Sequence, residues 1–223
     1  ALHAFIAIYA DEARAAAKAA DLARGAGYAL GPLHGIPFGL KDLVELDGKV
    51  TTGGSKVWAE RVSRATGTRA NRLIASGMIV VGKTHTVEFA FGAWGTNQHM
   101  GAPRNPWDVR EHRTPGGSSS GSGVAVASRM VPWAVGTDTG GSVRIPSAMC
   151  GLTGLKTTVG AIPTDGILPL SETLDTVGPL ARSAVDAGIL FDVMCGREAG
   201  PPKGTDARGI KGMRLARMPD DER

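Results

Sequence analysis

Apolar positions along this chain fall either in short continuous runs or at helical spacing. Ala4–Ala10 (AFIAIYA) is such a run and reads as a strand or as the front of a helix. The following EARAAAKAADLARG is made of strong helix formers, with Asp11 as N-cap and Gly25 and Gly27 at its end. GPLHGIPFGLKDLVEL reads as a turn leading into a short apolar run. Thr66–Ser76 has helical spacing, with Leu73 and Ile74 inward and Gly77 as its stop. Met78–Val81 (MIVV) is a short strand of the buried kind. Residues 95–117 carry Gly, Asn and Pro and predict a long loop. The small residues from Ser118 to Met130 predict a closely packed helix, and Pro132–Val135 leads a strand that ends at GTDTGGS. Ser183 caps a further helix, AVDAGILFDVMCG, which Gly196 stops. Pro201, Pro202 and Gly204 form a linker before a strand at Met213–Met218.

Strands alternating with helices predict an α/β fold, a sheet with helices on both faces. No internal repeat is visible. The 223 residues suit one large domain or two small ones. The closing PDDER reads as the start of another connection, so the chain is expected to stop inside the pattern of a longer domain.

Composition narrows the function. Hydrophobic residues at 42% and charged residues at 21% fit an ordinary globular protein and exclude a disordered one. Two cysteines, Cys150 and Cys195, exclude a disulfide scaffold and a Cys-only zinc site, and both read as small buried residues. No apolar run approaches the roughly 20 residues that span a bilayer. The N-terminus shows no signal-peptide pattern, so the expected location is cytoplasmic, without a membrane partner. The net charge of +4 is spread along the chain and mixed with acids, and aromatics make up only 5%. Nucleic-acid binders concentrate basic charge and offer stacking surface, so no nucleic-acid partner is expected. Glycine is the outlier, 32 of 223 residues, about twice the usual ~7%. It clusters between Pro115 and Gly160, where an ordered Gly-rich backbone often marks a site.

Three motifs compete for that site. Gly77–Thr84 (GMIVVGKT) fits the phosphate-binding expression GxxxxGK[ST] letter for letter. Its four middle residues must form a turn, however, and here they are Met, Ile, Val and Val, which form the strand itself. Gly117–Gly121 (GSSSG) fits the nucleophile elbow GxSxG. That elbow needs a strand before it and a His after it; here a loop precedes, and all five histidines lie upstream. The third is a constellation of Lys41 in GIPFGLKDL, Ser118 in TPGGSSSGSG and Ser142 in GTDTGGSVRIP. A hydroxyl nucleophile needs a base, and a lysine serves once burial lowers its pKa. Two glycines directly before Ser142 let successive amides curl toward one point, a nest for an oxyanion. Each piece also has a plain alternative: Lys41 as an interfacial lysine, Ser118 as an N-cap, Gly140-Gly141 as a turn.

These residues resemble the amidase signature family. The resemblance rests on TPGGSSSGSGVAVASRMVPWAVGTDTGGSVRIPSAMCGLTGLKTTVG (114–160), with 24 residues from Ser118 to Ser142. GPLHGIPFGLKDL, GKTHTVEFAFG, RNPWD and LDTVGPLARS support it, so nearly the whole chain is covered. Ser120 stands where the family usually has Gly, and Thr157 where it usually has Pro. The resemblance implies a mixed β-sheet core flanked by helices on both faces, an α/β/α sandwich. Residues 1–223 would be the N-terminal and central part of one longer amidase-signature domain. It further implies a Ser–cis-Ser–Lys triad. Ser142 would be the nucleophile, Lys41 the base, and Ser118 the relay through a cis Gly117–Ser118 peptide. Thr139, Gly140, Gly141 and Ser142 would supply the oxyanion amides, with Asp138 and Arg144 bracing the loop as a charge pair.

The implied activity is hydrolysis of a linear carboxylic amide by acyl transfer to Ser142, releasing ammonia or an amine, with no metal or organic cofactor. The expected partner is a small-molecule amide, with a homodimer left open as the assembly. Two alternatives stand beside it. One is the glutaminase subunit of a tRNA-dependent amidotransferase, against which Ile145 argues, because those subunits carry Gln in the matching IRQPA. The other is a nucleotide-binding protein built on Gly77–Thr84.

Overall fold

The computed structural model describes residues 2–28 and 30–200. The linker and strand expected from Pro201 onward lie outside them. Among the described residues the chain forms one mixed sheet of six strands, with helices on both faces. The strands are β1 (Phe5–Ile8), β2 (Pro37–Lys41), β3 (Ile79–Thr84), β4 (Trp133–Asp138), β5 (Thr153–Gly154) and β6 (Thr176–Ala181). Their order is β1-β3-β2-β4-β6-β5. The central β3-β2-β4 trio is parallel, and antiparallel strands flank it on both sides. Parallel neighbours need crossover connections. Helix α2 (Thr68–Ala75) lies between β2 and β3, and α3 (Ser120–Ala127) precedes β4.

The two-residue period of the strands divides the core. Phe38, Leu40, Trp133, Val135, Val177 and Ala181 point to one face and pack under α2 and α5 (Ala184–Met194). Ala134 points the other way, to a second cluster with Val124, Ala125 and Val126 of α3 and Cys150 of α4 (Arg144–Cys150). That alternation places Lys41 on the α3 face, one position beyond Leu40.

Hydroxyls join α3 to the sheet. Ser122 Oγ donates to Val135 O at 3.1 Å and shares a 2.7 Å hydrogen bond with Thr84 Oγ1. Ser119 Oγ donates to Thr137 O and accepts from Thr137 N, both at 3.3 Å. The small residues that predict close packing therefore do pack closely.

Helix α1 (Ala10–Gly25) forms where the helix formers lie, but Asp11 sits inside its first turn and Tyr9 is the N-cap. Leu73 is buried as expected, whereas Ile74 turns outward. Ser183 caps α5 as expected, its Oγ accepting from Asp186 N at 3.1 Å. Residues 95–117 form the expected loop. Helix α4 and strands β5 and β6 have no counterpart in the sequence reading. Helix α4 carries Pro146 in its first turn, where amides have no intrahelical partner and a proline costs nothing. Strand β6 carries Pro179, which argues against a central strand. It pairs with β4 along its length, while its other neighbour, β5, has only two residues.

Candidate active site

Lys41 ends β2 and is completely buried. Its Nζ donates to Ser118 Oγ at 2.7 Å and to Thr137 Oγ1 at 2.8 Å. Ser118 lies just before α3, also buried, and the Gly117–Ser118 peptide is cis. Gly117 N donates to Ala93 O at 2.6 Å, and Ser118 O accepts from Val87 N at 3.1 Å, which seats this peptide against residues 87–93. Burial pushes the Lys41 amine down to about 7, against the opposing pull of the Asp138 and Asp175 carboxylates. A lysine at that value holds a substantial neutral fraction near neutral pH.

Past β4 the chain folds around the buried carboxylate of Asp138. Burial alone would raise this acid, but the Arg144 guanidinium and the amides of Val143, Arg144 and Gly141 outweigh it and hold it below the usual range. Oδ1 accepts from Gly141 N at 2.8 Å and from an Arg144 Nη at 2.9 Å. Oδ2 accepts from Val143 N at 3.1 Å and Arg144 Nε at 3.1 Å. Asp138 and Arg144 thus form a charge pair across the start of this loop. Gly141 adopts φ +131°, and a side chain there would strike Ile145. Of the four amides expected to face an oxyanion, that of Gly141 is engaged by Asp138. Those of Gly140 and Ser142 have no protein acceptor among the described residues.

Ser142 borders a recess of about 180 Å³, walled by Ala90, Phe91, Gly92, Ala93, Gly140, Ile145 and Leu170. Ser142 O accepts from Ser119 N at 3.2 Å, so the Ser142 loop is joined to the residue after Ser118. No hydrogen bond links Ser142 Oγ to Ser118 Oγ in this arrangement. Two neighbours escaped the sequence reading, Thr137 on Lys41 Nζ and Asp175 beside the nest. Thr137 lies in the quoted GTDTGGS and Asp175 in the quoted LDTVGP, but nothing in their spacing marks them.

Gly77–Thr84 is no phosphate loop. Ile79–Thr84 is strand β3, and a side chain at Gly82 would collide with the Ala7 carbonyl of β1. Lys83 is buried, donating at 2.6 Å to both Val44 O and Thr51 Oγ1. Cys150 is buried and its thiol is pushed up to about 12, while Cys195 is only half-buried. Among the described residues no group of three or more His, Cys, Asp or Glu is placed to hold a metal ion.

The amidase family profile matches residues 1–211. The chain belongs to the amidase family. It is 47% identical over 203 residues to 2-amino-5-chloromuconic acid deaminase of Comamonas testosteroni, covering 91% of this chain and 44% of that protein. It is 43% identical over 206 residues to a glutamyl-tRNA(Gln) amidotransferase subunit of Chloroflexus aurantiacus, covering 92% of this chain and 42% of that protein. Among solved structures, native peptide amidase from Stenotrophomonas maltophilia superposes with a TM-score of 0.80 at 37% identity, covering 97% of this chain and 43% of that one. The chain therefore spans less than half the length of these relatives.

Proposed function

We propose that this chain carries the catalytic centre of an amidohydrolase that cleaves a linear carboxylic amide, as part of one amidase-signature domain. The single observation behind this reading is the hydrogen bond between buried Lys41 and Ser118. It puts a buried amine with a pKa of about 7 on a buried serine hydroxyl. An ordinary structural lysine stays charged and reaches water.

In the proposed reaction Ser142 Oγ attacks the amide carbon. Its proton passes to Ser118 Oγ as Ser118 gives its own to neutral Lys41 Nζ. The carbonyl oxygen becomes an oxyanion facing the amides of the Thr139–Ser142 segment, those of Gly140 and Ser142 being open to it. Lys41 returns the proton through Ser118 to the leaving nitrogen, the C–N bond breaks, and ammonia or an amine departs. Water, deprotonated by the same relay, then attacks the acyl-enzyme and frees the acid and Ser142. The relay requires Ser118 and Ser142 to approach hydrogen-bonding distance, a tightening that catalytic contacts undergo when substrate binds.

A second reading makes the chain part of a glutaminase subunit of an amidotransferase, and the similarity to the Chloroflexus amidotransferase protein favours it. The recess argues for the first. Ile145, Ala90, Phe91 and Leu170 give it an apolar wall suited to a carbon-rich acyl group.

Labelling with a fluorophosphonate probe, read by intact mass, tests the proposal. One adduct is expected on the chain and none on Ser142→Ala. Absence of labelling on folded wild-type protein would overturn it.

A further inference from the structure

Resting on that reading, we propose that Asp175 is a positioning residue of the site, its carboxylate joining the nest segment at Thr139 to the recess wall at Leu170 and to Ser171 next to it in the chain. The Thr139 hydroxyl donates to Oδ1 of Asp175. The amides of Leu170 and Ser171 donate to Oδ2 at 2.8 and 3.0 Å. Leu170 is part of the wall around Ser142, and Thr139 opens the TGGS segment. One side chain thus holds both sides of the place where substrate would lie.

This connection has no substitute in the sheet. Leu170 and Ser171 lie in the irregular stretch between β5 and β6. That stretch is fastened at Asp165–Leu168, where Thr68 N donates to Asp165 Oδ2 at 2.8 Å, Glu45 N to Gly166 O at 2.9 Å and Leu168 N to Leu43 O at 3.0 Å. Past Leu168 a turn follows, in which the amides of Leu174 and Asp175 donate to Ser171 O at 3.3 and 3.0 Å. Asp175 immediately precedes β6. The next residue, Thr176, is in register with Asp138 and donates through Oγ1 to Asp138 O at 2.7 Å. The ladder fixes the backbone of Asp175, and its two carboxylate oxygens reach to opposite sides.

The same carboxylate acts on Lys41 through its charge. Burial disfavours the lysine proton, while Asp138 and Asp175 favour it. Arg144 is paired to Asp138, and the Asp42 carboxylate that follows Lys41 is turned to Lys83 of β3. Removing the Asp175 charge therefore moves the Lys41 titration to lower pH.

Two substitutions in the 223-residue chain separate these effects. Asp175→Asn can keep all three contacts, its carbonyl accepting both amides and its NH₂ donating to the Thr139 hydroxyl. Asp175→Ala keeps none. Hydrogen exchange at Leu170 and Ser171 is expected to quicken about tenfold or more in the Ala variant, and to change little in the Asn variant. The Nζ resonance of Lys41, in protein labelled with ¹⁵N,¹³C-lysine and identified by its loss in Lys41→Met, should titrate at lower pH in both variants. A merely structural role would leave that titration unmoved in the Asn variant. Fluorophosphonate labelling of Ser142 above the titration should fall about tenfold in the Ala variant alone.

Unchanged exchange at Leu170 and Ser171 in folded Asp175→Ala overturns the proposal, as does an unmoved Lys41 titration in Asp175→Asn. If the Ala variant does not fold, the Asn titration still decides. Wild-type protein that fails to label sinks the amidohydrolase reading, while exchange and titration still judge Asp175.

Discussion

Lys83 and Asp42 pair inside the protein, Nζ to Oδ1 at 3.5 Å, with both side chains closed off from water. Asp42 also accepts from the amide of Thr52 at 3.1 Å and from its hydroxyl. The pair anchors the turn at residues 51–54, where Gly53 O accepts from Phe89 N at 2.7 Å, next to the recess wall. Burial pushes the Asp42 carboxyl up and the Lys83 amine down, and each charge opposes the shift of the other. Lys83→Met leaves Asp42 buried and uncompensated, a loss of about 3–5 kcal/mol. Denaturant melts should show it directly. Because Lys83 is committed to this pair, Mg-ATP should leave the melting temperature unchanged; a dose-dependent rise would restore the nucleotide-binding reading.

The Lys41 value sets a pH profile. The reacting form is the neutral amine, which is the minor form below about 7 and the major form above it. Ser142 labelling should therefore fall about tenfold for each pH unit below that point and level off above it. Lys41→Met should remove labelling at every pH while the fold survives, since a neutral chain of similar volume suits a buried site. A flat profile from pH 5 to 9 would exclude Lys41 as the base.

Asp138 and Arg144 should not be equivalent on truncation. The Asp138 side chain is 0% exposed and that of Arg144 51%. Arg144→Ala leaves the Asp138 carboxylate with its backbone donors, at a cost of about 1 kcal/mol. Asp138→Ala strands several amides, including those of Gly141 and Val143, and should cost about 3 kcal/mol or more. Thermal melts combined with Ser142 labelling would reveal the order, and equal losses would contradict it.

The two glycines before Ser142 serve different ends. Gly141→Ala forces a side chain into φ +131° and against Ile145, and should cost about 1–3 kcal/mol and most of the labelling. Nothing lies within 4 Å of a side chain built at Gly140. Gly140→Ala should melt like wild type and affect only the binding of bulky acyl probes, which a probe-size series would measure.

Much of the fold was legible because its signals are local. Leu73 and the turn-forming Gly77 mark α2, Ser183 marks the start of α5, and the run before Gly82 marks β3. Local rules failed where a residue met its reason elsewhere. Pro179 reads as a strand breaker until β4 is seen to hold β6. Asp11 reads as a cap until the chain is seen to enter α1 one residue before Ala10. Ile74 has a place on the apolar stripe but no partner to cover it.

At the site, the motifs picked out Lys41, Ser118 and Ser142, the family resemblance added Asp138 and Arg144, and neither singled out Thr137 or Asp175. Thr137 meets Lys41 across 96 positions of sequence and Asp175 meets Thr139 across 36. Such contacts have no periodicity to betray them.

The sequence by itself determined the chemical inventory: a lysine behind apolar residues, serines in glycine-rich turns, and helices and strands enough for an α/β layer. Only the tertiary structure decided which groups act on one another. Strand alternation turned Lys41 toward α3, the segment leading into α3 carried Ser118 to its amine, and the parallel neighbour β4 carried Thr137 there. The curl after β4 assigned the Gly141 amide to Asp138 and left those of Gly140 and Ser142 open. Residue type is a property of one position, whereas burial, pKa and hydrogen-bond partnership belong to segments that the chain must fold to bring together.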